Sequence, residues 1–321
     1  MSDEPELRDG PPWAMEEMIL AEPGLVAPIL RRSEALEAAE WIRETETVVV
    51  TGCGTSEHAA MAGAALLNAR ARDAFEASLD PQAEGVLIAI SHEAGTAATL
   101  AAIKATNART ILITAKPEVE TGANLVIGTP LTDTSWCHTV GYVSPLLALT
   151  AIAGAADETT CMNVIEGTLA LRPRFKAAAQ TLKDCERLIV AGSGVDEITS
   201  RELALKIEEG LHVPVTPLGM EKVLHGHLPA ADAKTGIVVI RIDPTSAPQR
   251  DRRAEQVRAA VAELGMPTVT IDGLPEGHPL LAGAIALQLL TYELVLAAGT
   301  NPDRIRREEP AYKAAAAAAN T

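Results

Sequence analysis

One local arrangement occurs twice in the chain, and that duplication restricts its fold more than any other feature. Thr47 to Leu67 reads TVVVTGCGTSEHAAMAGAALL. Its β-branched apolar start has the composition of a buried strand. Gly52-Cys53-Gly54 lets the backbone turn where a Cβ would clash. Thr55 and Ser56 follow as N-cap candidates for a helix of small residues packed closely on a sheet. Leu188 to Ile207 repeats the strand, the Gly192-Ser193-Gly194 turn and the helix, with Gly52 and Gly192 lying 140 positions apart. The next strands are paired as well: Val86–Ser91 with Ile237–Arg241, and Thr110–Thr114 with Thr268–Asp272. Elements shared in the same order argue for a duplicated α/β unit, far more strongly than either glycine turn alone.

The expected fold is therefore α/β, with two parallel sheets flanked by helices in a doubly wound, flavodoxin-like manner. The expected boundaries are an N-terminal segment and entry helix at 1–24, a first unit at 25–160, a second at 161–299 and a tail at 300–321. A chain of 321 residues can hold two such units, each with its own core. Aromatic residues are only 2% of it, so Ala, Val, Ile and Leu must fill the space between sheets and helices. Helices are expected from Trp13 to Ile29, interrupted at Glu22-Pro23-Gly24, from Ser33 to Arg43, from Asn163 to Lys183, and around Tyr312 to Ala319. Residues up to Gly10 are expected to be mobile.

A net charge of −16 argues against a nucleic-acid partner, because Lys and Arg contacts to phosphates dominate such affinity. It does not exclude a small anion held locally. The acidic first dozen residues lack the pattern of a signal peptide. Gln288 and Glu293 interrupt the apolar stretch Leu281–Gly299, so no membrane span is expected. Cys53, Cys137, Cys161 and Cys185 are scattered, which signals neither a zinc site nor a disulfide framework. A cytoplasmic protein without metal or organic cofactor is expected.

Chemistry-bearing residues collect at a few points. Strand and glycine turn leave the N–H groups of Gly54, Thr55 and Ser56 free for an anion. Ser91-His92-Glu93-Ala94-Gly95-Thr96 ends the second strand, and the two loops can face each other across one crevice. The bland alternative is that Ser91, Thr96 and Thr99 only cap a helix. In the second unit Glu202, Lys206 and Glu209 fall at i, i+4 and i+7, on one helix face among apolar neighbours. His225-Gly226-His227 has no third ligand at a recognisable metal spacing.

Several motifs together resemble the sugar isomerase (SIS) domain family, and within it the tandem isomerase half of glucosamine-6-phosphate synthase. Met15-Glu-Glu-Met-Ile-Leu-Ala-Glu-Pro23 is similar to the family's entry helix, and Cys53-Gly-Thr-Ser56 to its Cys-Gly-Thr-Ser loop. Phe75-Glu-Ala-Ser78 resembles its Glu-x-Ser step on the next strand. Ala204-Leu-Lys-Ile-Glu-Glu209 resembles Ala-Leu-Lys-Leu-Lys-Glu, and His225-Gly226 the catalytic His-Gly. Ile285-Ala-Leu-Gln-Leu-Leu-Thr-Tyr292 and Gly299-Thr-Asn-Pro-Asp303 are similar to the closing helix and tail. The resemblance implies that Glu209 moves a proton between carbons while His225 opens the sugar ring. It also implies that Lys206 and Glu202 set the charge of Glu209, and that Lys313 reaches back from the tail.

Departures from the family pattern shape the expectation. No glutaminase half precedes the motifs, so an ammonia-using synthase is not expected. The family's phosphate loop Ser-Gln-Ser-Gly-Glu-Thr is here Ser91-His-Glu93-Ala-Gly-Thr96, a carboxylate replacing a phosphate-binding serine. His138 adds an imidazole at the same sheet end. The expected ligand is a sugar or sugar phosphate, with Glu93 disfavouring phosphate at that position. The expected activity is aldose–ketose isomerisation by a homodimer. The alternatives are C–N cleavage by a deaminase or deglycase, and a non-catalytic sugar-phosphate-binding regulator.

Overall fold

The structure, a computed structural model, describes residues 5–319. Residues 1–4 of the expected N-terminal segment and 320–321 of the tail lie outside the described residues. Three helices, α1 (Ala14–Ala21), α2 (Val26–Leu30) and α3 (Ser33–Arg43), lead into β1 (Val48–Gly52). The first half continues with α4 (Thr55–Leu67), β2 (Arg70–Asp73), α5 (Ala74–Leu79), β3 (Val86–Ile90), α6 (Ala97–Ala105), β4 (Arg109–Thr114), β5 (Leu125–Gly128) and α7 (Val140–Ala153). Helices α8 (Glu158–Leu169) and α9 (Arg172–Leu182) cross over. The second half holds β6 (Arg187–Gly192), α10 (Val195–Leu211), β7 (Val215–Gly219), α11 (Met220–Lys222), β8 (Thr235–Ile240), α12 (Ala247–Glu263), β9 (Thr268–Ile271) and α13 (Pro279–Ala298). The alanine-rich α14 (Pro310–Ala319) ends the described chain.

Both sheets are wholly parallel. The first has the order β2-β1-β3-β4-β5 and the second β7-β6-β8-β9, so the two paired strand sets occupy like places. In each sheet the order reverses at the strand that carries the glycine turn, where an open α/β sheet places its ligand crevice. A Cβ on Gly52 would stand 2.5 Å from the Ser56 carbonyl oxygen, and one on Gly192 would be as badly placed against Asp196. Gly54 and Gly194 have positive φ, at 57° and 67°.

Strand residues are apolar on both faces because both faces are covered. Val48, Val50, Ile88, Ile111 and Ile113 face the same large cluster as Val190, Val238 and Ile240 of the other sheet. α7 and α13 fill the middle of that cluster with Leu146, Leu149, Leu287 and Leu290. The largest core therefore draws on both sheets, rather than each half having a separate one. Outer faces are sealed by smaller clusters, Val49 and Leu87 with Ala77 and Ala102, and Ile189, Ile237 and Val239 with Val257 and Val261.

Some expectations need correcting. The crossing helix is two helices, because Pro173 has no N–H to continue α8 and instead sits in the first turn of α9. Phe75–Ser78 is not on a strand: the Asp73 carboxylate accepts from the N–H groups of Phe75 and Glu76 and starts α5 there. Helix α13 is long and apolar enough to cross a membrane, yet 89% of its most apolar window is buried inside the fold. Gln288 and Glu293 are accommodated there by the Thr139 carbonyl and by Arg172. Of the residues expected to be mobile, those at 5–9 are described, and they are tied down: Arg8 bonds Glu17 and the Pro12 carbonyl, and Pro5 is buried.

α1 has no side-chain cap of its own, since Trp13 is its N-cap residue. Its first N–H groups donate instead to a residue nearly three hundred positions away. Ala14 N reaches Asp303 Oδ2 at 2.8 Å, and Met15 N reaches Oδ1 at 2.9 Å, with Asp303 fully buried. Asp303→Ala should lower unfolding free energy by about 2 kcal/mol, because two buried donors lose their acceptor. Asp303→Asn, which keeps one acceptor oxygen, should lose less. Chemical denaturation of the three proteins measures the order.

Candidate active site

The glycine turn at Gly54 delivers the first turn of α4 to the end of β1, beside the end of β3. Cys53 Sγ stands 3.9 Å from Thr99 Oγ1, which sets the glycine turn beside the start of α6. Ser91 Oγ donates to Thr96 Oγ1 at 3.4 Å, closing the second loop on itself. Ala94 has φ +52°, and Glu93 beside it is half-buried, its Oε1 enclosed without a hydrogen-bond partner among the described residues. Ser56 is half-buried and Gly54 exposed at the mouth.

His92 points elsewhere. Its Nε2 accepts from the Asp133 backbone N–H at 2.8 Å, so the ring is a buried part of the wall. His138 lies nearby, ring centroids 5.4 Å apart. Burial, and then the neighbouring His138, lower the pKa of His92 to about 4. Burial, and then the Lys206 ammonium, bring His138 to about 3. Both rings are neutral near pH 7. Asp133 holds the loop that carries His138, accepting from the N–H groups of Ser135, Thr139 and Gly141.

The carboxylates and lysine of α10 form a continuous chain. Glu202 and Lys206 are fully buried, and Lys206 Nζ lies 3.6 Å from Glu202 Oε1 and 2.5 Å from Glu209 Oε2. Glu209 keeps 22% of its side chain exposed, enough to meet a ligand. Burial works against the Lys206 ammonium, but the carboxylates of Glu209 and Glu202 outweigh it and hold its pKa above the ordinary value. Burial likewise raises Glu209 above the usual carboxylate range, against the opposing pull of Lys206. A carboxylate whose pKa is raised holds a proton more strongly than an ordinary one.

α4 meets this chain directly. Thr55 Oγ1 donates to Glu202 Oε1 at 3.2 Å, and His58 Nδ1 lies 2.6 Å from Glu202 Oε2. The Thr55 hydroxyl is thus engaged inside the protein. His58 was not foreseen from the sequence: a single imidazole on a helix has no spacing to signal it. Its place on the first turn of the glycine-turn helix, three residues after Thr55, was the available clue.

Two expected groups stand apart from Glu209. His225 sits at a kink on an exposed segment where Gly226 takes φ 114°, and its Nε2 pairs with Glu221 Oε1 at 2.9 Å. Among the described residues no ion pair joins it to Lys206 or Glu209. Lys313 is exposed on α14, and its neighbour Tyr312 lines a cavity of about 440 Å³ with Glu209, His212, Ile305 and Arg306. No group of three or more His, Cys, Asp or Glu is placed to hold a metal ion among the described residues.

The second glycine turn is closed from within. Asp243 Oδ2 accepts from Val195 N at the start of α10 and pairs with Arg250. Asp196, raised to about 6 chiefly by burial, receives the Ile242 and Asp243 N–H groups.

The α/β fold is shared with solved structures of sugar-phosphate enzymes, and the chain is a homologue of the isomerase (SIS) part of glutamine–fructose-6-phosphate aminotransferases. The aminotransferase of Pyrococcus horikoshii is 27% identical over 85% of this chain and 52% of its own length. The chain thus spans about half the length of the curated relatives it matches. Among solved structures, the C-terminal domain of glucosamine-fructose-6-phosphate aminotransferase from Francisella tularensis superposes with a TM-score of 0.78 at 19% identity, covering 93% of this chain and 99% of that one. Tagatose-6-phosphate ketose/aldose isomerase from Escherichia coli gives 0.77 at 17% identity, covering 92% and 95%. No protein-family model matches the chain.

The neutral, buried His92 has a consequence for acid stability. An unfolded histidine titrates near 6.5, so between that value and about 4 the unfolded chain binds more protons and stability rises with pH. Lowering the pH from 7 to 4 should remove about 3 kcal/mol through His92. His92→Gln keeps an acceptor for the Asp133 N–H but cannot be protonated. Urea melts at pH 7 and 4.5 should show a smaller acid loss for that variant than for the wild type.

Proposed function

We propose that this protein is an aldose–ketose isomerase of the SIS type, acting on a sugar or sugar phosphate without metal or organic cofactor. In this reading two tandem SIS units, 25–160 and 161–299, form the molecule, with an entry segment at 1–24 and a tail at 300–321. The protein acts in the cytoplasm on a small-molecule ligand, with neither nucleic acid nor membrane as partner. The observation that carries the reading is Glu209: a partly open carboxyl with a raised pKa, fixed by a buried lysine whose other side is held by Glu202. Moving a proton between adjacent carbons needs such a base at constant geometry.

Gly54, Thr55 and Ser56 bind the sugar at the start of α4, together with Ser91, Glu93 and Thr96 of the facing loop. His92 and His138 form the wall behind them. Lys313 polarises the carbonyl when α14 closes over the cavity that Tyr312 already lines. Release of ammonia or an amine from an amino or glycated sugar is a second reading. One observation favours it: the enclosed, unpartnered Glu93 Oε1 is an acceptor suited to an ammonium or a hydroxyl rather than to phosphate.

Interconversion of hexose 6-phosphates and their unphosphorylated parents, followed by NMR, tests the proposal. Glu209→Gln should lose about a hundred- to ten-thousand-fold in turnover with its melting temperature kept. Because the base must be ionised and its pKa is raised, the wild-type rate should fall as pH drops through that raised value. A fully active variant would refute the reading, and ammonia appearing with the product would select the second one.

His225, exposed and distant in contacts from Glu209, completes the site from a second copy of the chain in a homodimer. Turnover per chain should then fall on dilution below the dimer dissociation constant. A monomer in sedimentation that retains full activity would remove His225 from the site.

A further inference from the structure

His58 has no part in the reading above, yet the chain invests a buried carboxylate in it. Glu202 is fully buried, and its Oε2 lies 2.6 Å from His58 Nδ1. A carboxylate only accepts hydrogen bonds, so Nδ1 carries the proton and Nε2 of the neutral ring is the basic nitrogen. Among the described residues none hydrogen-bonds Nε2, and 15% of the side chain stays exposed. His58 belongs to the first turn of α4, three residues after Thr55, and both bond the same carboxylate. The imidazole is therefore held in one tautomer at the start of α4, partly exposed, with Nε2 unpaired among the described residues.

We infer that His58, held by Glu202, transfers the oxygen-bound proton during the isomerisation that Glu209 drives at carbon. The inference rests on the isomerase reading. In aldose-to-ketose conversion Glu209 takes the hydrogen of C2 and returns one to C1. Over the same two steps one proton must pass from the hydroxyl oxygen on C2 to the carbonyl oxygen on C1. His58 accepts it at Nε2 and releases it to the other oxygen, ending neutral as it began, so no further reactant is consumed. Two proton paths, one at carbon and one at oxygen, then meet a single buried charge chain running His58, Glu202, Lys206, Glu209.

The groups around that chain leave the role to His58. Lys206 and Thr55 face Glu202, as does Tyr142 of α7, whose phenol is held neutral by burial. Cys137 and His138 approach from the loop before α7, both neutral because they are buried. Arg307 of the tail acts on Glu209 and His138. Among these, His58 is the group beside Glu202 with a ring nitrogen left unpaired among the described residues.

His58→Asn separates proton transfer from support, since an asparagine amide can take the place of Nδ1–H and still donate to Glu202. His58→Gln is the second variant should the first not fold. With fructose 6-phosphate as probe, the expected result is a native-like melting temperature, KM within about twofold, and kcat lower by about a hundredfold or more. The pH profile of kcat should differ between the variant and the wild type. Nitrogen NMR of the wild type should show the neutral ring protonated at Nδ1. A folded asparagine variant with wild-type kcat and pH profile overturns this inference alone, as does a ring protonated at Nε2. A wild type without turnover of any hexose or hexose phosphate overturns the isomerase reading and this inference with it.

Discussion

A lysine removed from water in the middle of α10 is the constraint to which the rest of the site answers. An isolated ammonium in such surroundings costs several kcal/mol even after relaxation. Lys206 is kept charged by Glu202 four residues before it and Glu209 three residues after it, both reachable on one helical face. Glu202 is itself fully buried and needs more than a lysine 3.6 Å away, and the Thr55 hydroxyl and His58 supply what is missing. Those two donors come from α4, so satisfying one charge docks the two glycine-turn helices against each other. Removing any member of such a chain leaves another charge buried without its partner, which is why the arrangement holds its geometry.

A second set of polar contacts closes the molecule around this centre. Asp303 caps α1, and its backbone carbonyl receives the Trp136 N–H, so the loop bearing Cys137 and His138 is pinned to the entry helix and the tail at one residue. Arg172 bridges Glu16 of α1 and Glu293 of α13, while the Tyr292 hydroxyl donates to Glu16. α1 is thus anchored on the helix that runs through the shared core. α10, which carries Glu209, packs on α13, and the Thr300 hydroxyl just beyond α13 donates to the Gly210 carbonyl beside it.

How much of this was legible in the sequence follows from which signals are periodic. The duplicated strand–glycine–helix unit identifies β1, β3, β4 and their counterparts β6, β8, β9, because buried parallel strands are near-continuous apolar runs. Strand β2 is Arg-Ala-Arg-Asp, exposed at a sheet edge, and β7 carries Pro217 at the edge of its sheet, tolerated there because one side needs no ladder bond. Neither has an apolar run to detect. The chain Glu202, Lys206, Glu209 was legible because helical spacing puts it on one face among apolar neighbours. His58 was not, since its importance is made by a partner 144 positions away. His225 was legible as a motif, but its exposure on a kinked segment depends on packing that a motif does not record.

The two glycine turns show how one backbone device has been given opposite outcomes. Each starts a helix with a positive-φ glycine and leaves N–H groups facing the end of its strand. In the second half Asp243 supplies the anion from inside the chain, with Arg250 covering it, and the demand of the helix terminus is met without a ligand. In the first half Glu93, after β3, keeps a buried oxygen without a partner among the described residues, and the side chains beside the turn are tied backward to Glu202. One half thus meets its helix terminus from within the chain, while the other leaves a buried carboxylate oxygen without a partner among the described residues. The asymmetry resides in a handful of side chains, while the sheets beneath remain alike in strand order.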